Sequence, residues 1–193
     1  MMASTPTPTL RTGRLILEPL RSDHAAEMFD GLSDPALYRY LVDLPPRSPA
    51  ALQAQYREIA SGLSPDGEQL WHSWAIRRKT DRRCIGTVQA TIPLVGEHEQ
   101  QALLGYMIFP AYWRQGSGRE ALSAMLDFLF DSAGCGRADA LVDTRNNPSL
   151  ALLDSLGFRT VGRIANADHF AGSTSHEYEL SLDAAAWHGD TRT

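Results

Sequence analysis

Between residues 118 and 133 the polar side chains Arg119, Glu120, Ser123, Asp127 and Asp131 recur every third or fourth position, while Leu122, Met125, Leu126, Leu129 and Phe130 fill the others. That period predicts one amphipathic helix over 118–133, ended by the glycines around Cys135. Residues 176–182 (HEYELSL) alternate instead, as a strand with one buried face does. The same two periods sort the rest of the chain. Strands are predicted at 14–20, 70–78, 84–94, 102–109, 138–144 and 158–164, with 79–83 joining the second and third as an antiparallel hairpin. Helices are predicted at 24–32, capped by Ser22 or Asp23, at 33–41, at 49–61 up to Gly62, and at 147–157 with Gly157 as the stop. Residues 165–175 read as a loop, 1–9 as a flexible Ser/Thr/Pro-rich start and 184–193 as a tail. A run of strands before the long helix argues for an α/β (α+β) domain over 10–183. Its central sheet is expected to be mixed, mostly antiparallel, with about six or seven strands flanked by helices.

Composition then narrows the function classes. The chain has 193 residues, 43% hydrophobic and 21% charged, which describes one globular domain. A formal net charge of −5 argues against nucleic acid or an anionic membrane as partner and favours cationic substrates. The longest apolar stretch, 121–130, is interrupted by Asp127 and too short to span a bilayer. MMASTPTPT lacks a basic-then-apolar leader, so the cytoplasm is the expected location. Cys84 and Cys135 stand alone, and neither they nor EHEQ at 97–100 have metal-ligand spacing, so no metal is expected.

The chemistry gathers at AYWRQGSGREAL, 111–122. Gly116, Ser117 and Gly118 lead directly into the long helix. A helix start offers about four unpaired N–H groups and a partial positive charge, and glycines let a phosphate approach the backbone. The bland alternative is a simple chain reversal. The stretch also fits the dinucleotide fingerprint G-x-G-x-x-A, with Asp139 and Asp143 near the ribose-binding distance. Yet the loop lies past mid-chain, after a hairpin, and PAYWRQ separates it from its strand, which argues against a dinucleotide fold. No mononucleotide P-loop motif occurs.

Several motifs in order carry a resemblance. They are Gly105-Tyr106, Pro110, Tyr112-Trp113, the turn at Gly116 and Gly118, Glu120-Ala121, and then Asn146, Ser149, Leu156, Gly157 and Phe158. This set, with LRTGRLILEPL and SDPALYRYL upstream, resembles the GNAT superfamily of acetyltransferases over about residues 10–182, and within it the RimJ/RimL branch. The resemblance implies a GNAT-like fold, acetyl-CoA as cosubstrate and an amine acceptor. That acceptor is a protein or peptide N-terminus first, and a small molecule such as an antibiotic or polyamine second. A non-catalytic acyl-CoA sensor is the third reading. Oligomeric state stays open, a homodimer included.

The resemblance also implies site residues. Arg114, Gln115, Gly116, Ser117, Gly118 and Arg119 would bind the diphosphate. The strand at Met107, Ile108 and Phe109 would bind the thioester arm, with an amide near Met107 or Ile108 polarising the carbonyl beside a sheet-opening bulge. Asn146 would bond CoA or cap its helix. Ser149, where the branch holds a serine, would serve the leaving thiolate as acid or hydrogen-bond donor, and the tyrosine many members carry as general acid is replaced here by Leu153. For the general base, Glu18, His72, Glu120, His176 and Glu177 all stay open.

Overall fold

The computed structural model describes residues 6–96, 100–170 and 173–190. Its frame is an open sheet of eight strands in the order β1-β2-β3-β4-β5-β6-β8-β7. They are β1 (Leu10–Arg11), β2 (Leu15–Pro19), β3 (Gln69–Arg78), β4 (Cys84–Pro93), β5 (Gln101–Ile108), β6 (Arg137–Asp143), β7 (Arg159–Phe170) and β8 (Ser173–Asp183). Every neighbouring pair is antiparallel except β5 with β6. The mixed α/β class is as expected, and the eighth strand is β1, two residues too short to leave a period in the sequence.

Two layers of helix cover the sheet. On one face lie α1 (His24–Leu32) and α2 (Pro49–Ile59), whose Met28, Leu32, Leu52 and Tyr56 pack with Ala75, Cys84 and Phe109. On the other lie α3 (Ser117–Asp131) and α4 (Asn147–Ser155). The apolar stripe of α3 is fully buried at Leu122, Met125, Leu126 and Leu129, against Leu17, Trp74, Val88 and Ala138. Residues 184–190 of the expected tail form α5 (Ala184–Asp190), whose Trp187 joins this core and donates to Asp127 (2.9 Å).

Three local expectations change. Asp23 makes no capping bond to α1 and pairs with Arg21 instead (3.0 Å). The helix expected over 33–41 shrinks to a 3₁₀ turn at Pro35–Tyr38, which buries no residue that could anchor more. Most of the loop expected over 165–175 is strand. β7 and β8 run on through it as a hairpin, with the irregularity between Ile164 and Asp168, where Asn166 takes φ 55°. Residues 171–172 of that loop, and 97–99 of EHEQ, lie outside the described residues. At the N-terminus, Thr7 and Pro8 are tied down by the ring nitrogens of His72 and Trp74.

Candidate active site

The parallel pair is the weak seam of the sheet. β5 meets β6 only where Gln101 pairs with Arg137, Ala102 with Ala138 and Leu103 with Asp139. Beyond these, residues 104–108 stay paired with β4 and 140–143 with β8, but not with each other. A wedge therefore opens through the sheet, lined by unpaired backbone edges. The expected bulge in β5 is absent, since its register with β4 runs unbroken from Leu103 to Ile108. The irregularity falls on β4, where Ile85 is the extra residue opposite Ile76 and Arg77. Gly86 makes this possible. At φ 156° it lies so close to β5 that a Cβ would sit 2.1 Å from the Met107 carbonyl oxygen.

That contact also orients β5. The Phe109 amide donates to Ile85 (2.8 Å) and the Met107 carbonyl faces Gly86, so both point toward β4. Backbone groups of successive strand residues point to opposite sides, so the amides facing the wedge belong to Tyr106 and Ile108. Of Met107 and Ile108, it is Ile108 whose amide turns toward the wedge. Phe109 offers no free amide, and its ring is buried against α1 at Gly31. The Ile108 carbonyl accepts the indole N–H of Trp113.

At the end of β5 the chain reaches the glycine turn. Arg114 (φ 59°) and Gly116 (φ 78°) are both left-handed, which swings the backbone into α3. The Glu120 amide is the first to bond back, to the Gly116 carbonyl (3.1 Å). The amides of Ser117, Gly118 and Arg119 precede it, and helix geometry gives them no carbonyl to reach. Gln115 folds its side chain onto Ala111 (3.0 Å), and Arg119 reaches the Ser155 carbonyl in α4 (3.3 Å).

Above the wedge, Asn146 caps α4 by accepting from the Ser149 amide (3.3 Å). The Ser149 hydroxyl meets the phenol of Tyr106, which arrives from β5 across the gap. Burial pushes the Tyr106 phenol up to about 12, with the Ser149 bond pulling the other way, so it keeps its proton at neutral pH. Leu153 is wholly buried core. Tyr106 is thus a functional candidate that the sequence marked only as half of a Gly-Tyr pair.

Partners separate the base candidates. Glu18 is held by Arg77 (3.0 Å) and by His24 (3.2 Å). Glu120 is bound by Thr12 and Arg14. His72 is 1% exposed, stacked on Trp74 and met edge-on by Phe128. His176 accepts the Asn166 amide (3.1 Å). Glu177 sits at the open end of β6, in register with Asp143. Its alternation with Leu180 and Leu182, which face the α3 side, places it on the opposite face of the sheet. Among the described residues its carboxylate has no hydrogen bond or ion pair. Burial, and then the charges of Asp168 and Asp143, raise its pKa above the ordinary carboxylate value. Asp143 itself is bound by Arg145 (2.7 Å), whose hydrogen bonds hold its pKa low against burial.

The family described as the acetyltransferase (GNAT) domain matches residues 14–159, a span that holds the wedge, the glycine turn and Ser149. The chain belongs to the GNAT acetyltransferases. Two curated relatives of this GNAT enzyme are the uncharacterized N-acetyltransferases p20 of Bacillus licheniformis and YoaA of Bacillus subtilis. The first is 26% identical over 90% of this chain and 95% of its own length, the second 28% identical over 80% and 85%. The ribosomal-protein-S5-alanine acetyltransferase of Vibrio fischeri shares the fold, with a TM-score of 0.76 at 18% identity over 93% of this chain and 98% of its own.

GNAT enzymes use acetyl-CoA, and the residues present suit it. Gly116 and Gly118 expose bare backbone where a Cβ would press on Arg14 (3.1 Å) or Leu152 (3.2 Å). Among the described residues, no group of three or more His, Cys, Asp or Glu could hold a metal, and no helix is long and apolar enough to cross a membrane.

Proposed function

We propose that this GNAT enzyme acetylates the α-amine of a protein or peptide N-terminus, by direct attack in a ternary complex, as the RimJ/RimL-like motif order suggests. Acetyl-CoA supplies the activated acetyl group. The amides of Gly116, Ser117, Gly118 and Arg119, at the positive end of α3, hold its diphosphate, flanked by Arg114 and Gln115. The β5 edge binds the pantetheine arm as an added strand would be bound, and the Ile108 amide stabilises charge on the carbonyl oxygen. Tyr106 donates to the Ser149 oxygen, leaving the Ser149 proton for the departing sulfur. From the other face, Glu177 takes the proton of the attacking amine.

The carrying observation is this division between faces, with the Tyr106 and Ser149 pair on one side of the wedge and an unpaired carboxylate on the other. One carboxylate suits an α-amine, with pKa about 7.7–8.0, better than a lysine or polyamine amine near 10.4, which is far more fully protonated at neutral pH. Release of the CoA thiol tests the assignment. Short peptides with free N-termini are expected to turn over, and the same peptides blocked at the N-terminus but carrying lysine are not. Turnover confined to spermidine or aminoglycosides would reassign the acceptor, and CoA binding without turnover on any amine would make the protein a sensor.

Ser149→Ala is expected to lower kcat about tenfold and Tyr106→Phe about threefold, each with KM for acetyl-CoA inside about twofold. An unchanged kcat in Ser149→Ala would reduce Ser149 to a helix contact.

A further inference from the structure

We infer that Arg14, on the turn between β1 and β2, is a positioning residue that aims the diphosphate-binding amides. This role presupposes that residues 114–119 hold a diphosphate, as proposed above. Arg14 reaches the first turn of α3 with three of its donors. Its Nη1 donates to the Gln115 carbonyl (2.9 Å), its Nε to one oxygen of Glu120 (2.6 Å) and its backbone amide to the other (2.7 Å). Thr12 donates to that same second oxygen. The turn itself is anchored to the sheet, because the Lys79 amide donates to the Arg14 carbonyl (2.9 Å) and the Lys79 ammonium to the Thr12 carbonyl.

Two consequences follow from elementary geometry and charge. The Gln115 carbonyl and the Gly116 N–H belong to one planar trans peptide, so they point in opposite directions. Holding the carbonyl on Arg14 therefore turns the Gly116 N–H away from Arg14. The peptide has a glycine on one side, Gly116 at φ 78°, which puts little steric resistance in the way of a flip if that bond is lost. The second consequence concerns Glu120. A carboxylate in the first turn of a helix repels an anion bound at that same turn unless a cation sits beside it. Arg14 is that cation. Burial works against the Glu120 charge, but the bonds from Thr12 and Arg14 outweigh it and keep the group ionised and paired. Glu120, one of the five candidate bases, is thereby part of a brace.

Calorimetric titration of the intact protein with CoA, and with pantetheine, tests the brace without knowing the acceptor. Pantetheine carries the same thiol arm and no phosphate. Arg14→Met is expected to weaken CoA about tenfold, which is about 1.4 kcal/mol, and to leave pantetheine within about twofold. Glu120→Gln, nearly isosteric, is expected to show the same selectivity at about threefold. A general loss of structure would weaken both ligands alike, and that outcome, or unchanged CoA affinity in both variants, overturns the role of Arg14. If the unaltered protein bound pantetheine as tightly as CoA, the failure would lie in the diphosphate reading of the loop, and the brace would fall with it.

Discussion

Replacing Gly116 by valine is expected to weaken CoA binding at least about a hundredfold while leaving the protein folded. Gly116 holds φ 78°, a region that a β-branched residue is strongly excluded from. Its Cβ would also lie 3.1 Å from the Arg14 guanidinium, which would have to give way by a few tenths of an ångström. The turn must open, and the amides of Ser117 and Gly118 swing off their common target. Each charge-assisted hydrogen bond contributes about 1.5–3 kcal/mol, so losing two costs about 3–6 kcal/mol, beyond the 2.7 kcal/mol that a hundredfold represents. The strain on the fold itself is smaller, about 1–2 kcal/mol against a typical stability of 5–15 kcal/mol. Thermal melting separates the two effects. With CoA at about a hundred times its dissociation constant, the unaltered protein gains about 2.7 kcal/mol and the variant about 0.4 kcal/mol or less. Equal gains would show that the turn does not hold the ligand.

The glycine turn was legible in the sequence because everything it needs is contiguous. Two left-handed positions, a helix start and its first free amides fall within residues 114–119. The helix α3 was legible for the same reason, its buried stripe repeating over four turns. What escaped depends on distant partners. Residues 165–175 show no strand period, yet 168–170 and 173–175 pair in the sheet because the lower half of β8 is already locked to β6. Thr7 and Pro8 looked frayed, but a buried Trp74 indole requires an acceptor and finds the Pro8 carbonyl at 2.7 Å. Tyr106 becomes a candidate only when the fold brings it to Ser149, 43 positions along the chain.

The same distinction governs the acidic groups. In the sequence Glu18, Glu120 and Glu177 are three equivalent carboxylates. In the fold, arginines from remote segments, Arg77 and Arg14, take up the first two. Among the described residues, only the third is left beside the wedge with no partner for its carboxylate. Catalytic candidacy here is a statement about which ion pairs are absent, and no local window of sequence contains that information.

Glu177→Gln is accordingly expected to lower kcat/KM about a hundredfold, the range general-base catalysis contributes. The pH profile gives the sharper readout. Turnover in the unaltered enzyme needs two deprotonations, one at Glu177 and one at the acceptor amine. Below the amine pKa, log kcat/KM should rise with a slope of about one, steepening to about two below the pKa of Glu177. That steepening is shifted upward from the ordinary glutamate value, because burial and the neighbouring Asp168 and Asp143 charges favour the protonated form. The glutamine variant should keep a slope of about one throughout. Stability should move the other way. A carboxyl whose folded pKa is raised contributes stability that is complete below its unfolded pKa and lost as pH rises through the folded value. Above its folded pKa the ionised Glu177 therefore weakens the fold, and glutamine should raise the melting temperature there but not in acid. A residue kept for structure would lose stability together with activity on substitution. A slower and more stable enzyme above that pKa, with its acid limb flattened, marks Glu177 as the base, and retained steepening of that limb would remove it from the reaction.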